Sequence, residues 1–71
     1  MHPLRTYRAE QNLTQKQLGE LLGVRRETVA RWETEAQRID ADLVQTVAKR
    51  TGIPPAELRP DLARLMGEGA Q

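Results

Sequence analysis

The chain has 71 residues with 11 basic and 10 acidic side chains, so its formal net charge at pH 7 is only +1. This length allows one small domain of marginal stability, which buries about 60% of the surface that its unfolded chain exposes. The absence of Cys and the single His exclude disulfides and leave no Cys/His set for a metal.

No apolar run approaches the roughly 20 residues that span a membrane. Residues 1–5 also lack the apolar segment of a signal peptide. We therefore expect an intracellular, cytoplasmic protein that uses no cofactor, no metal and no membrane.

The first predicted helix begins at Pro3, which suits the first helical position. Leu4 and Tyr7 give it an inward face. The helix ends near Asn12, which can take the position after the helix where a left-handed residue is common. His2 is assigned no chemical role.

The second predicted helix covers residues 15–22. Thr14 is its N-cap, and Gln17 three residues later completes a capping box. Gly23 follows it, where a left-handed residue ends a helix. Gly19 lies inside the helix at a cost of about 1 kcal/mol relative to Ala. Two explanations for this glycine are open: the next helix passes close to it, or a partly exposed position simply tolerates it. The inner face is an apolar stripe of Leu18, Leu21 and Leu22.

The third predicted helix runs from Arg26 to about Glu33 and has two faces when its residues are placed 100° apart. Val29 and Trp32, with Thr28 beside them, form a face that belongs in the core. The opposite face carries Arg26, Glu27, Ala30 and Arg31.

Both ends of this helix are unusual. Arg25 stands at the N-cap position, where the lack of a Ser-like cap forfeits about 0.5–2 kcal/mol. No Gly follows Glu33. Either the helix continues for another turn, or a non-Gly residue within 34–38 adopts the left-handed conformation.

A fourth helix is predicted after Asp40, its N-cap, and before Gly52, its C-terminal stop. Pro54-Pro55 begins a short fifth helix, which Pro60 ends. Asp61 can cap one further turn, and residues 67–71 are expected to be disordered.

The run LTQKQLGELLGVRRETVARWE, at residues 13–33, resembles the helix-turn-helix of the lambda repressor and Cro family, which is XRE-like. The tail at residues 51–62 is also similar to small Cro-like and YdaS-like phage or antitoxin regulators. The resemblance implies an all-α, lambda-repressor-like DNA-binding domain over residues 1–66. It would have five helices, or six, with the helix-turn-helix at helices two and three.

An α-helix fits the major groove of DNA, and Arg is the commonest reader of guanine edges. The residues expected to contact bases are Arg26, Glu27, Ala30 and Arg31. The residues expected to contact the DNA backbone are Gln15, Lys16, Arg25, Thr28 and Arg38. For Gln15, the role in contacting the backbone and bracing the recognition helix is implied by the resemblance. Glu27 has an alternative, since it can pair with Arg31 at spacing i, i+4 instead of accepting from cytosine.

The sequence therefore predicts a sequence-specific regulator of double-stranded DNA, in the manner of a Cro-like repressor that covers a promoter. One reading helix per chain favours a homodimer on a palindromic operator. The candidates for the dimer surface, which can instead finish the core, are Leu58, Leu62, Leu65 and Met66.

The alternative is a protein-interaction module, such as an antitoxin or an adaptor that binds a protein partner. The weak net charge and Glu27 on the reading face favour it. An enzyme is not expected, because no nucleophile lies with a base and no Gly-rich phosphate loop is present.

Overall fold

The computed structural model describes residues 2–66, apart from the side chains of Ala63, Leu65 and Met66. This part of the chain is all-helical, and the prediction of an all-α fold is confirmed, with six helices in the described residues. In chain order they are α1 (Pro3–Glu10), α2 (Gln15–Leu22), α3 (Arg26–Glu33), α4 (Ala41–Thr51), α5 (Pro55–Leu58) and α6 (Pro60–Met66). None of these helices is long and apolar enough to cross a membrane. The tail at 67–71, for which disorder was predicted, lies outside the described residues.

The chain divides into two compact units, Met1–Arg38 and Ile39–Gln71. In the first unit, α3 packs against both α1 and α2. The buried apolar side chains of this unit are Leu4, Leu18, Leu22, Val29 and Trp32. The core therefore holds α3 by its apolar face.

The predicted stripe of α2 is wrong at one position. Leu18 and Leu22 are 0% and 5% exposed, whereas Leu21 is 36% exposed. The helix has only eight residues, and two leucines are enough to fill the inner face that its neighbours cover. Leu21 lies at the margin of that face.

The segment after α3 settles the alternative left open by the sequence. The helix ends at Glu33 and does not continue. Glu35 adopts the left-handed conformation with φ 62°, and the Thr34 hydroxyl donates to the Ala30 carbonyl oxygen at 3.0 Å. A non-Gly residue therefore makes this turn, against the usual steric preference.

In the second unit, α4 begins after Asp40 and ends at Gly52, which has φ 79°. The buried apolar side chains of the second unit are Ile39, Val44, Val47 and Leu58. Thr51 closes the end of α4, because its hydroxyl donates to the Val47 carbonyl at 2.7 Å and accepts from the Ile53 N–H at 3.1 Å.

Pro60 ends α5 as predicted, since that helix stops at Leu58, but the prediction that Asp61 caps the next turn needs correction. Pro60 is the first residue of α6, and Asp61 lies inside the first turn of that helix. Proline ends a preceding helix, but its fixed φ also suits the start of the next one. Asp61 accepts two hydrogen bonds from the Arg59 guanidinium, at 2.9 Å and 2.7 Å.

Candidate functional site

Helix α3 has one buried apolar face and one exposed charged face, as the 100° spacing of its residues predicted. Val29 and Trp32 are 0% and 1% exposed, and Thr28 and Ala30 are half-buried. The exposed charged side chains of the helix are Arg26, Glu27 and Arg31. A rigid helix thus presents two guanidiniums and one carboxylate to solvent, next to a small side chain that permits close approach.

The charged side chains of this face have no partner within residues 2–66. Glu27 and Arg31 are four residues apart, a spacing at which helical ion pairs form, yet no hydrogen bond or ion pair joins them. Arg25 and Arg26 also have no side-chain partner in the described chain. The donors and the acceptor of the face are therefore available to a ligand.

The start of α3 has no side-chain cap. Arg25 has the extended N-cap conformation, with φ −78° and ψ 157°, but its side chain accepts no backbone N–H. This confirms the weak start that the sequence predicted. Amide N–H groups at a helix start favour anionic ligands, because they lie at the positive end of the helix dipole.

Local contacts fix both ends of α2, and the second end leads into the turn before α3. Thr14 and Gln17 form the predicted capping box, with distances of 3.0 Å and 2.9 Å. Gly23 has the predicted left-handed conformation, with φ 78°. A Cβ atom on Gly19 would lie 2.6 Å from the Val24 carbonyl oxygen, so close approach is the correct explanation for this glycine.

One carboxylate links all three helices of the first unit. Glu33, whose side chain is only 4% exposed, accepts from Arg8 Nε at 2.8 Å and from Arg8 Nη2 at 3.0 Å. Its Oε1 atom also accepts from Gln15 Nε2 at 3.1 Å. Arg8 also ties α1 to the loop before α2, because its Nη1 atom donates to the Leu13 carbonyl oxygen at 3.2 Å. The last residue of α3 is thus fixed to α1 and to the first residue of α2.

The charge state of Glu33 follows from these contacts. Burial by itself raises the pKa of the Glu33 carboxyl, but hydrogen bonds from Arg8 and Gln15 and the positive charges of Arg8 and Arg5 outweigh it. The net result is a pKa below the usual value of 4.5. Glu33 is therefore ionised at neutral pH, and it acts as an acceptor only.

Two open depressions bring predicted contact residues together. The first contains Arg8, Gln15, Lys16 and Arg26 among its lining residues. The second shares Lys16 and Arg26 with the first, and its lining is completed by Glu20, Val24, Arg25 and Glu27. The start of α2 and the start of α3 therefore form one continuous surface rich in positive charge.

Not every predicted contact residue lines these depressions. Thr28, Ala30, Arg31 and Arg38 line neither of them. Thr28 is half-buried, as its angle on the helix predicted, and Arg38 is exposed in the segment before α4.

Sequence reasoning missed the roles of three residues. Arg8 and Glu33 were not recognised as a pair, because 25 positions separate them and no local pattern joins them. His2 was assigned no role, yet its Nδ1 atom accepts from the Leu4 N–H at 3.1 Å and caps α1. The signal for His2 was Pro3, since a proline at the first helical position makes the preceding residue the N-cap.

The candidates for a dimer surface differ in their exposure. Leu58 is only 4% exposed, so it belongs to the core and offers almost no area to a second chain. Leu62 is half-buried, and its role stays a prediction. The side chains of Leu65 and Met66 lie outside the described part of the chain.

Within the described residues, no group of three or more His, Asp or Glu side chains is placed to hold a metal ion.

The family model described as "Helix-turn-helix" matches residues 4–58. No curated protein and no solved structure matches the chain.

Proposed function

This chain belongs to the helix-turn-helix family of the lambda repressor and Cro type and is a DNA-binding transcription regulator; we propose that it acts as a repressor that reads a specific operator and covers a promoter. Double-stranded DNA is accordingly its ligand. Regulation then depends on the concentration of the protein and the occupancy of its site. We further propose that it acts in the cytoplasm, on the DNA of the nucleoid.

The observation that carries the proposal is the unpaired, exposed face of α3. Arg26 and Arg31 keep all their guanidinium donors free within the described chain, and arginine binds guanine O6 and N7 with two such donors. Glu27 can accept from cytosine N4, and the half-buried Ala30 leaves room for a thymine methyl group. Each well-placed arginine contributes about 1–3 kcal/mol of discrimination against a wrong base.

The surface at the start of α2 and α3 supports the assignment of backbone contacts. Lys16, Arg25 and Gln15 line the two depressions that flank Arg26. Phosphate contacts from such residues fix the register of a protein on the duplex without reading sequence. Thr28 and Arg38 complete the proposed set of backbone contacts.

We propose that two copies bind a palindromic operator. One reading helix covers only a few base pairs, and half-sites one helical turn apart allow two chains to bind on the same side of DNA. The net charge of +1 gives little nonspecific attraction to phosphates, so a second copy adds affinity that charge does not supply. Leu62, with Leu65 and Met66, is the proposed dimer surface.

Selection of bound duplexes from a random DNA pool at near-physiological salt tests the proposal. We expect an enriched inverted repeat whose half-site spacing reports the dimer geometry. Arg26→Ala and Arg31→Ala should each weaken binding to the selected duplex by roughly 5–150-fold, while Lys49→Ala, an exposed change on α4, should not. Enrichment of no sequence, or equal affinity of the arginine variants, would contradict sequence-specific reading.

A second candidate is an antitoxin or adaptor whose main ligand is a protein. Two observations favour it: the low net charge, and the unpaired Glu27 carboxylate on a face that would otherwise meet anionic DNA. The two functions separate in one comparison. Loss of DNA binding in Arg26→Ala with unchanged function in the cell would assign that function to the protein partner.

A further inference from the structure

The contact between Glu33 and Gln15 has a consequence for DNA binding. Gln15 Nε2 donates to Glu33 Oε1 at 3.1 Å, and the same carboxylate oxygen also accepts from Arg8 Nη2 at 3.0 Å. An ionised carboxylate has no proton to donate. It therefore accepts the nitrogen end of the Gln15 amide and rejects the oxygen end.

This arrangement leaves a defined set of atoms on Gln15. The amide group has two N–H donors, and Glu33 occupies one of them. The second N–H has no partner in the described chain. Gln15 also lines the depression that contains Arg8, Lys16 and Arg26, where a DNA phosphate would meet positive charge on several sides.

We infer that Glu33 is a positioning residue for DNA binding, which orients the Gln15 amide so that its free N–H points to a backbone phosphate. This inference rests on the proposed backbone contact of Gln15. Without Glu33, the amide could rotate and present its oxygen, which would repel a phosphate oxygen. Arg8 serves the same purpose indirectly, because its two hydrogen bonds hold the carboxylate in place.

The test uses the duplex obtained by selection, synthesised with a neutral methylphosphonate at one phosphate at a time. Wild-type protein should lose about tenfold or more in affinity at the phosphate that Gln15 contacts, as expected for a hydrogen bond to a charged group. Gln15→Ala should abolish the loss at that phosphate only. Glu33→Asp, whose carboxylate is one methylene shorter, should reduce the loss to about threefold or less, because a freely rotating amide keeps only part of such a bond.

The matched control is Val47→Ala, a change at a buried position of α4 that takes no part in the hydrogen bond between Gln15 and Glu33. It should lower thermal stability while the methylphosphonate loss stays near tenfold, on the scale of one charged hydrogen bond. All affinities are measured at a low temperature at which circular dichroism shows each variant to be folded. A full loss in Glu33→Asp, or the same reduction at every phosphate, would overturn the positioning role.

Failure of the underlying proposal gives a different result. If Gln15→Ala keeps the wild-type loss at all phosphates, Gln15 does not contact the backbone, and the inference falls with that contact. If Glu33→Asp does not fold, nuclear Overhauser contacts in the wild-type complex test the positioning role instead. The Gln15 side-chain amide must keep its contact with Glu33 while the second amide proton shifts on DNA binding, and loss of the contact would overturn the inference.

Discussion

Replacement of Arg8 by Met tests how strongly the partly buried ion pair between Arg8 and Glu33 holds α3 in place. The change keeps an unbranched side chain on α1 and removes the guanidinium. Glu33, only 4% exposed, then loses its contacts at 2.8 Å and 3.0 Å and keeps the neutral Gln15 amide at 3.1 Å. A nearly buried carboxylate is left without an ion pair, and only the charge of Arg5 still acts on it.

The magnitude follows from burial. Removal of one partner from a buried ion pair costs about 3–5 kcal/mol. The Arg8 side chain is 22% exposed and Gln15 remains as a donor, so we expect a smaller loss of about 2–3 kcal/mol. A chain of this length has a free energy of unfolding of about 4–10 kcal/mol. The melting temperature should therefore fall by roughly 10–20 °C.

The pH dependence gives the sharper test. In the wild type the pKa of Glu33 is below its usual value, so its contribution to stability is present above pH 4.5 and is lost as the pH falls through the lowered pKa. In Arg8→Met the burial of the carboxyl should dominate and raise its pKa, so protonation becomes favourable to folding. The stability difference between the two proteins should therefore be largest near neutral pH and shrink steadily toward pH 3.

Urea unfolding followed by Trp32 fluorescence measures this difference, because the single Trp is 1% exposed in the folded chain. Lys49→Met is the matched control, since it also replaces a positive charge by Met, at an exposed position of α4 whose charge does not act on Glu33. It should change stability by no more than about 0.5 kcal/mol. A loss in Arg8→Met that is equally small, or that is constant from pH 3 to pH 7, would refute the reasoning.

Three further substitutions test local features of the first unit. Gly19→Val places a Cβ atom 2.6 Å from the Val24 carbonyl oxygen, so calorimetry should detect a loss of about 3 kcal/mol or more from overpacking against backbone. Glu35→Gly relieves a left-handed backbone with φ 62° and should raise the free energy of unfolding in urea by about 0.5–1 kcal/mol. His2→Ala removes the cap of α1 and should cost about 0.5–2 kcal/mol in thermal unfolding. The cap also responds to pH, because burial lowers the pKa of His2 below 6.5, although the charges of Glu35 and Glu33 oppose this shift. The stabilisation by the cap is present above pH 6.5 and is lost as the pH falls through the lowered pKa. Proton NMR of the imidazole can follow this titration.

Each of these predictions has a control on a neighbouring residue. Glu20→Val, on the exposed side of α2, should lose only the small difference in helix propensity. Ala36→Gly should not stabilise, since no positive φ occurs at that position. His2→Asn should keep a cap without the titration near neutral pH. A stable Gly19→Val protein, a destabilised Glu35→Gly protein or an imidazole that titrates above 6.5 would each contradict the corresponding argument.

Local chemistry explains why α2 and α3 were predicted with their observed bounds. The capping box of Thr14 and Gln17 and the left-handed Gly23 act within a few residues, so the sequence alone displays them. The two faces of α3 follow from helical geometry in the same way. The exposure of Arg26 and Arg31 was therefore predictable, whereas their contacts with bases depend on a duplex and stay predictions.

The missed features depend on contacts that no local pattern reveals. The Arg8–Glu33 pair forms only after α1 and α3 pack together. The margin of the core at Leu21 depends on which neighbours cover α2. Asp61 was predicted to cap the last helix, but α6 begins one residue earlier, at Pro60, whose fixed φ suits the first helical position.

The uncapped start of α3 sets an evolutionary conflict at position 25. A Ser or Asp there would cap the helix and stabilise the fold by about 0.5–2 kcal/mol, but it would remove a guanidinium from the surface that we propose to meet phosphate. Selection for stability alone would replace Arg25, and selection for operator binding would retain it. In descendants that abandon DNA for another ligand, this position should be among the first to drift toward a capping residue.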